Sequence, residues 1–458
     1  MCVSLPELHP LPNIQAMCPY CRCALVVDGW AIPGMRTMAS MNCLKCKRSF
    51  FIDLPASYGL WIPLMLDKAT GEQFVRLRDS CTPLEQTDLR EHWFSEKLKL
   101  SWESRTNRPV KLEVEGSLTG RRPVLLNCLD FCYGHALYKL LNADYYLRKD
   151  AEVDLILLLP ASLRWMAPKR TAMIWTVHDN LKGCLQWNDH LDALIHEQVA
   201  AIGPCSLVPS LPVPHPDNYD IAHFTGVQPF DLADWNTTLA KPIITFIWRE
   251  DRLWLKRPLV PLSARVNRVI GRYIPAIIRQ DIMGQRNRVI KLFTELRLHV
   301  PNTQFSVAGF GTTGDFPEWI HDERREKITT DDERGWCELY SRSHLVIGVL
   351  GSNMLLPTAH AAASIILMPQ DRWGNLGHDI LTNSQDVNME TARRRFIPLS
   401  TGTDETAEIA RSLLISLAHF RITCERENCD IESLDSNSDR LQLSVAEADD
   451  AIRKMASA

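Results

Sequence analysis

Along this chain, short unbroken apolar runs alternate with segments whose apolar residues recur at helical spacing. Arg122 to Asp130 (RPVLLNCLD), Val153 to Leu159 and Ala172 to Val177 are runs of the kind a buried parallel strand requires. Between the first two, His135 to Leu147 places Ala136, Leu137, Leu140 and Leu141 at the spacing of one helix face, and Ala193 to Ala201 contributes a second helix. Residues 203–242 break the rhythm with Pro204, Pro209, Pro212, Pro214 and Pro216, which reads as a linker. The rhythm then restarts. Ile243 to Trp248, Gln304 to Ala308, Leu345 to Leu350 and Ile365 to Met368 read as strands. Arg286 to His299, Arg334 to Ser343 and Met354 to Ala363 read as helices, with Ile290, Phe293, Leu296 and Leu298 as buried positions of the first. Strand and helix repeated in this way predict two doubly wound α/β domains.

The first 55 residues differ. Short alternation at Ala24 to Val27 and Phe50 to Leu54 predicts β-hairpins, and Cys18-Pro-Tyr-Cys21 is answered by Cys43-Leu-Lys-Cys46. Two Cys-x-x-Cys turns of this spacing suit a tetrahedral zinc ion with four thiolate ligands, a closed ribbon with a structural or docking role. Arg22, Lys45 and Lys47 would offset its negative charge, and Cys23 reads as a bystander. The expected organisation is a zinc ribbon over 1–55, an α/β domain over 56–235, a second over 236–420, and an acidic tail with a short helix over 421–458. Residues 56–118 are a connection or an early sheet edge.

Composition narrows the class. The 458 residues exceed one ordinary core. A net charge of -4, from 51 basic and 55 acidic residues, gives no support to a nucleic-acid partner. The apolar runs are too short for a membrane span, and Met1 to Gln15 lacks the pattern of a secretory signal, so a cytoplasmic location is expected. Cys128, Cys132, Cys184, Cys205 and Cys337 stand singly among apolar residues and read as small buried hydrophobes.

Candidate ligand residues cluster at expected strand ends in the second half. Arg249 and Arg252 follow a strand and could grip a diphosphate, or could pair with Glu250 and Asp251 at the surface. Gly309 and Gly311 form a turn that would let backbone approach a nucleotide. Gly351, Ser352 and Asn353 open a helix, with Ser352 or Asn353 as its N-cap or as part of an anion site. Asp371 could bind a ribose or sugar hydroxyl beside Trp373, or both could belong to an ordinary polar loop. Three of these stretches, Thr245 to Arg252, Arg286 to Arg297 and Ser343 to His360, resemble the donor-binding half of a broad group of GT-B glycosyltransferases. That group takes in the fucosyltransferases, the plant xylosyltransferases and the extracellular O-linked N-acetylglucosamine transferases. Ile247 stands where fucosyltransferases place a histidine. The resemblance covers roughly residues 240–400 and implies two Rossmann-like domains, a nucleotide-sugar donor, and an acceptor that is a glycan, a protein or a small molecule.

An inverting hexosyl- or pentosyltransferase also needs a base to take the acceptor proton. Two candidate pairs stand after strands in the first α/β domain, Asp130 with His135 and His178 with Asp179. No Asp-x-Asp metal motif sits on a suitable loop, so metal-independent transfer is expected. The alternatives are a catalytically inactive scaffold of the same fold, and another two-domain enzyme such as a nucleotide-sugar epimerase or a pyruvyl-type transferase. The turn Asp130-Phe-Cys-Tyr-Gly-His135 is not the glycine fingerprint of a dinucleotide enzyme, and no Gly-x-Ser-x-Gly elbow is present.

Overall fold

Six antiparallel strands come first, and the four paired-motif cysteines stand at a strand end and in the turns beside them. They are β1 (Leu25–Ala31), β2 (Met38–Cys43), β3 (Ser49–Asp53), β4 (Leu64–Asp67), β5 (Gln73–Arg76) and β6 (Cys81–Pro83), each paired with the next. The computed structural model describes residues 7–8, 11–76, 81–83, 89–210, 219–255, 274–382 and 387–427. Pro212, Pro214 and Pro216 of the expected linker, and the acidic stretch from Asp430 to Asp439, lie outside the described residues. The chain divides into two compact units, Met1–Phe224 and Thr225–Ala458.

In the first unit a helix, α1 (Leu89–Glu103), leads to a second, mostly parallel sheet. Its members are β7 (Lys111–Gly116), β8 (Arg122–Asn127), β9 (Val153–Pro160), β10 (Met173–His178) and β11 (Ser206–Leu207), in the order β11-β8-β9-β10-β7. Two helices serve it: α2 (Tyr133–Lys149) between β8 and β9, and α3 (Asp189–Ile202) before β11. Only β7 runs antiparallel, at the edge beside β10. The chain leaves β8 for β9 on one side and returns to β11 on the other, so the direction of winding reverses at β8. Ligands of open α/β sheets bind outside the carboxyl end of such a switch strand. The cysteine-bearing sheet is not separate from this layer: Leu25, Trp30 and Ile52 share one apolar core with Leu125, Ile156 and Trp175.

Among the described residues the second unit forms one six-stranded sheet, all parallel. Besides short helices at Trp235–Thr238 and Val387–Ala392, its elements in chain order include β12 (Ile243–Arg249), α4 (Ile274–His299), β13 (Gln304–Phe310), β14 (Ile320–Arg325), α5 (Thr330–Tyr340), β15 (Leu345–Val349), α6 (Leu355–His360), β16 (Ala363–Met368), β17 (Arg394–Pro398) and α7 (Thr403–Glu427). The spatial order β14-β13-β12-β15-β16-β17 is 3-2-1-4-5-6 when counted within the unit, the order of a dinucleotide-type doubly wound sheet. Its switch point lies between β12 and β15. Phe246, Trp248, Phe293, Leu296 and Ile347 fill the core on the α4 side. Leu298, expected to be buried, is 67% exposed, because the buried face of α4 follows Val289, Leu292, Phe293 and Leu296.

Two expectations shift at the end of β15. The helix foreseen over Met354 to Ala363 is a 3-10 turn (Ser352–Met354) followed by the six-residue α6, since the chain must re-enter the sheet at Ala363. Neither Ser352 nor Asn353 caps it. Gly351 occupies the cap position and no side chain satisfies the first N–H groups. Among the described residues no helix is long and apolar enough to cross a membrane.

Candidate functional site

The four cysteines converge as their spacing predicts. Cys18 and Cys46 Sγ lie 3.5 Å apart, Cys21 and Cys43 Sγ 3.4 Å apart, and all four within 4.8 Å of one another. A zinc–sulfur bond of about 2.3 Å places tetrahedral sulfurs about 3.8 Å apart, so the group fits a metal ion such as zinc. The two turns are built alike. The N–H of Arg22 bonds to the Cys18 carbonyl at 2.9 Å, as does that of Lys47 to the Cys43 carbonyl at 2.9 Å. Arg22 and Lys47 both take positive φ, 58° and 63°, where glycine would be easier. Burial pushes the Cys18 thiol up to about 12, whereas the backbone N–H of Cys23 draws Cys21 down to about 6. A cation among the sulfurs would hold all four as thiolates.

At the switch strand of the first unit, Asp130 and His135 meet. The turn after β8 buries Asp130 completely, and the first turn of α2 carries His135. Asp130 Oδ2 accepts from Tyr58 Oη at 2.6 Å and sits 2.9 Å from Lys139 Nζ, while Oδ1 accepts the Cys132 N–H at 3.1 Å. Burial alone would raise this carboxyl. The Lys139 charge, His135 and Tyr58 outweigh it and hold Asp130 well below the usual carboxylate range. Tyr58 moves the other way, because burial and the adjacent Asp130 charge both disfavour a phenolate.

His135 Nδ1 lies 3.0 Å from Tyr58 Oη and 3.5 Å from Asp130 Oδ1. Tyr58 has one hydroxyl proton, and the 2.6 Å bond to Asp130 uses it. The Tyr58 oxygen therefore accepts from His135 Nδ1–H, and in the neutral imidazole of that tautomer Nε2 keeps its lone pair. Beneath the cluster is a second buried pair. Arg36 Nη1 bonds Asp53 at 2.8 Å, and both the Arg36 guanidinium and Lys139 Nζ approach the Tyr58 ring, at 5.2 and 4.8 Å. Arg36, Asp53, Asp130 and Lys139 are four buried charged groups gathered around one tyrosine, the kind of arrangement that is common at functional sites.

The other candidate pair is not brought together. His178 Nε2 faces Glu113 at 2.6 Å on the neighbouring edge strand, and Asp179 is engaged by Arg108.

In the second unit the switch point gathers the loops after β12 and β15. Arg249 is bound by Asp251 through two hydrogen bonds, 2.8 and 2.7 Å, so much of its charge is already answered. Arg252 differs. Its Nη1 donates to the Leu350 carbonyl at 2.9 Å, and no carboxylate among the described residues pairs with it. A Cβ on Gly351 would fall 1.8 Å from that nitrogen, so the glycine is what lets the guanidinium lie over this turn. Asn353 Oδ1 is buried beside it with no hydrogen-bond partner among the described residues. A buried acceptor left unpaired is costly, and points to a donor that arrives with a ligand.

Gly309 and Gly311 have roles inside the fold. A Cβ on Gly309 would meet the Trp248 carbonyl oxygen at 2.1 Å, and one on Gly311, at φ 101°, the Glu250 side chain at 2.3 Å. The Glu250 carboxylate accepts the Thr313 N–H at 2.7 Å and its hydroxyl at 3.0 Å, so the chain's own carboxylate fills this turn. Asp371 is exposed at the start of a 3-10 turn, Gln370–Asn375, that also exposes Trp373.

Sequence reasoning missed Tyr58, Lys139, Arg36 and Asp53. Lys139 had a signal: a lysine among Ala136, Leu137, Leu140 and Leu141 on an apolar helix face must find a buried partner. Tyr58 had none, being 72 residues from Asp130 in sequence.

No known family profile matches the chain, and no curated protein matches it. Two solved structures show a loose likeness. One, described as an OtsA apo structure, has a TM-score of 0.24 at 11% identity over 81% of this chain and 76% of that one. The other, described as trehalose-6-phosphate from E. coli bound with UDP-2-fluoro glucose, has a TM-score of 0.25 at 11% identity over 81% and 77%.

Proposed function

We propose that the protein is a glycosyltransferase that moves a sugar from a nucleotide-sugar donor to an acceptor hydroxyl with inversion. The observation that carries this reading is the placing of Arg252 and the unpartnered Asn353 Oδ1 around Gly351 at the switch point of a 3-2-1-4-5-6 sheet. A cation without a carboxylate and a buried acceptor without a donor, among the described residues, together ask for a ligand bearing both anionic oxygens and hydroxyls. A sugar nucleotide has both.

Each unit is given a task of its own. In the first, His135 Nε2 is the base proposed to take the proton of an acceptor hydroxyl. In the second, Arg252 and Arg249 are proposed to meet the charge that grows on a diphosphate as its bond to the anomeric carbon breaks. Asp130 stabilises the imidazolium through Tyr58 and directly, while Lys139 keeps Asp130 ionised. The arginines supply the positive charge that the leaving diphosphate needs, so the reading is metal-independent. The four-cysteine group is assigned a structural zinc.

The test is turnover of a sugar nucleotide by the full chain, read as released nucleoside diphosphate. His135→Asn keeps a donor toward Tyr58 but presents no base, and should lower kcat about 10²–10⁴-fold while donor affinity holds. Turnover by His135→Asn at the wild-type rate would remove His135 from the mechanism.

A further inference from the structure

The surroundings of His135 carry a second message, about what the acceptor is. Two large aromatic side chains stand open to solvent beside the base: Trp93 is 40% exposed and Trp61 49%. Phe94 joins them, its ring centroid 4.9 Å from Trp93 and 5.8 Å from Trp61, both in edge-to-face contact. The Trp93 ring lies 6.2 Å from the His135 ring at 76°, and Phe131 lies 6.2 Å from it at 89°. Lys97 Nζ is poised over Phe131 at 5.3 Å and Trp93 at 5.9 Å, and no carboxylate among the described residues pairs with it.

Contiguous exposed aromatic surface around a polar centre marks a ligand or interaction site. Here the two requirements lie within one ring width of each other. Nε2 of His135 needs a hydroxyl at hydrogen-bond distance, and the Trp93 face needs an apolar surface against it. A pyranose ring satisfies both, since its C–H face is apolar and its rim is all hydroxyls. A serine or threonine of a peptide offers the hydroxyl without an extended apolar face, and a lipid tail offers the face without the hydroxyl.

We infer that the acceptor is a carbohydrate whose ring stacks on Trp93, with Trp61 extending the platform to a neighbouring residue of the glycan and Lys97 donating to its hydroxyls. This rests on the transferase reading for its setting, but the binding event does not need the reaction.

The experiment is saturation-transfer NMR on the full chain with a panel of neutral oligosaccharides built from glucose, N-acetylglucosamine, galactose, mannose or xylose. At least one member should receive magnetisation chiefly on the C–H protons of one ring face. Trp93→Ala should weaken its binding at least tenfold. Trp93→Phe, which keeps an aromatic face and guards against a folding artefact, should weaken it less. If no oligosaccharide binds while a sugar nucleotide is still turned over, the carbohydrate assignment is overturned and the transferase reading stands. If an oligosaccharide binds but no sugar nucleotide does, the platform stands and the transferase reading falls. Binding that Trp93→Ala leaves unchanged places the carbohydrate elsewhere and also overturns the inference.

Discussion

Replacing Lys139 with methionine tests whether the buried cluster is built as described. The lysine and Asp130 are both fully buried and 2.9 Å apart, so Lys139→Met removes a buried cation from a carboxylate that water cannot reach. Methionine fills much of the same space, which keeps the cavity term small and isolates the electrostatics. Losing one partner of a buried pair costs about 3–5 kcal/mol, because the remaining charge is left uncompensated. The pH dependence has a definite sign. In the wild type Asp130 titrates below its unfolded value, so its contribution is present above about pH 4 and is lost as pH falls through the lowered folded value. Without Lys139, burial dominates and the folded value rises above the unfolded one. The variant should then regain stability as pH drops toward about 4, because the folded state takes up the proton first. Amide hydrogen exchange of β8 and β9 peptides, read by mass spectrometry between pH 7 and pH 5, follows the first unit without interference from the second. Lys139→Met with Asp130→Asn should recover part of the loss. A destabilisation under about 1 kcal/mol, or one that does not change with pH, would show that the two groups do not form the pair described here.

Two further outcomes follow from the same geometry. The purified protein should carry about one zinc per chain, and because the cysteine sheet shares its core with the parallel sheet, Cys43→Ser should destabilise the whole first unit. Elemental analysis without zinc in undamaged protein would refute this. Tyr58→Phe removes a donor to a buried carboxylate and should cost about 1.5–3 kcal/mol in denaturant titration, with a turnover loss smaller than that of His135→Asn. A change under about 0.5 kcal/mol would contradict the hydrogen-bond count.

The parts legible in the sequence were those with local signatures. The four cysteines needed only their spacing, and the central strands of both sheets announced themselves as unbroken apolar runs. The edge strands did not. β14 reads Ile-His-Asp-Glu-Arg-Arg and β17 reads Arg-Arg-Phe-Ile-Pro: His321 and Asp322 face solvent, whereas Arg324 and Arg394 are buried against Asp322 and Glu390, so charge interrupts the apolar run in both edge strands. Asp130 and His135 were found because both stand within eight residues of a strand end; Arg36 before β2, Asp53 at the end of β3 and Tyr58 in the turn between β3 and β4 reach the cluster from the antiparallel sheet, which no local pattern connects to β8. At the second switch point the sequence marked Arg249 and Arg252 alike. The structure separates them by giving Arg249 to Asp251 and leaving Arg252 over Gly351.

The central claim is that this last arrangement holds a sugar nucleotide, and calorimetric titration of the full, metal-loaded chain with UDP-, GDP-, dTDP- and CMP-linked sugars tests it most directly. One nucleotide class should bind at micromolar to submillimolar concentration. Arg252→Ala should lose at least tenfold in affinity, about 1.4 kcal/mol, and Arg249→Ala less, since Asp251 already answers much of its charge. No heat of binding from any of the four classes at millimolar concentration, or equal affinities for the wild type and Arg252→Ala, would contradict the account.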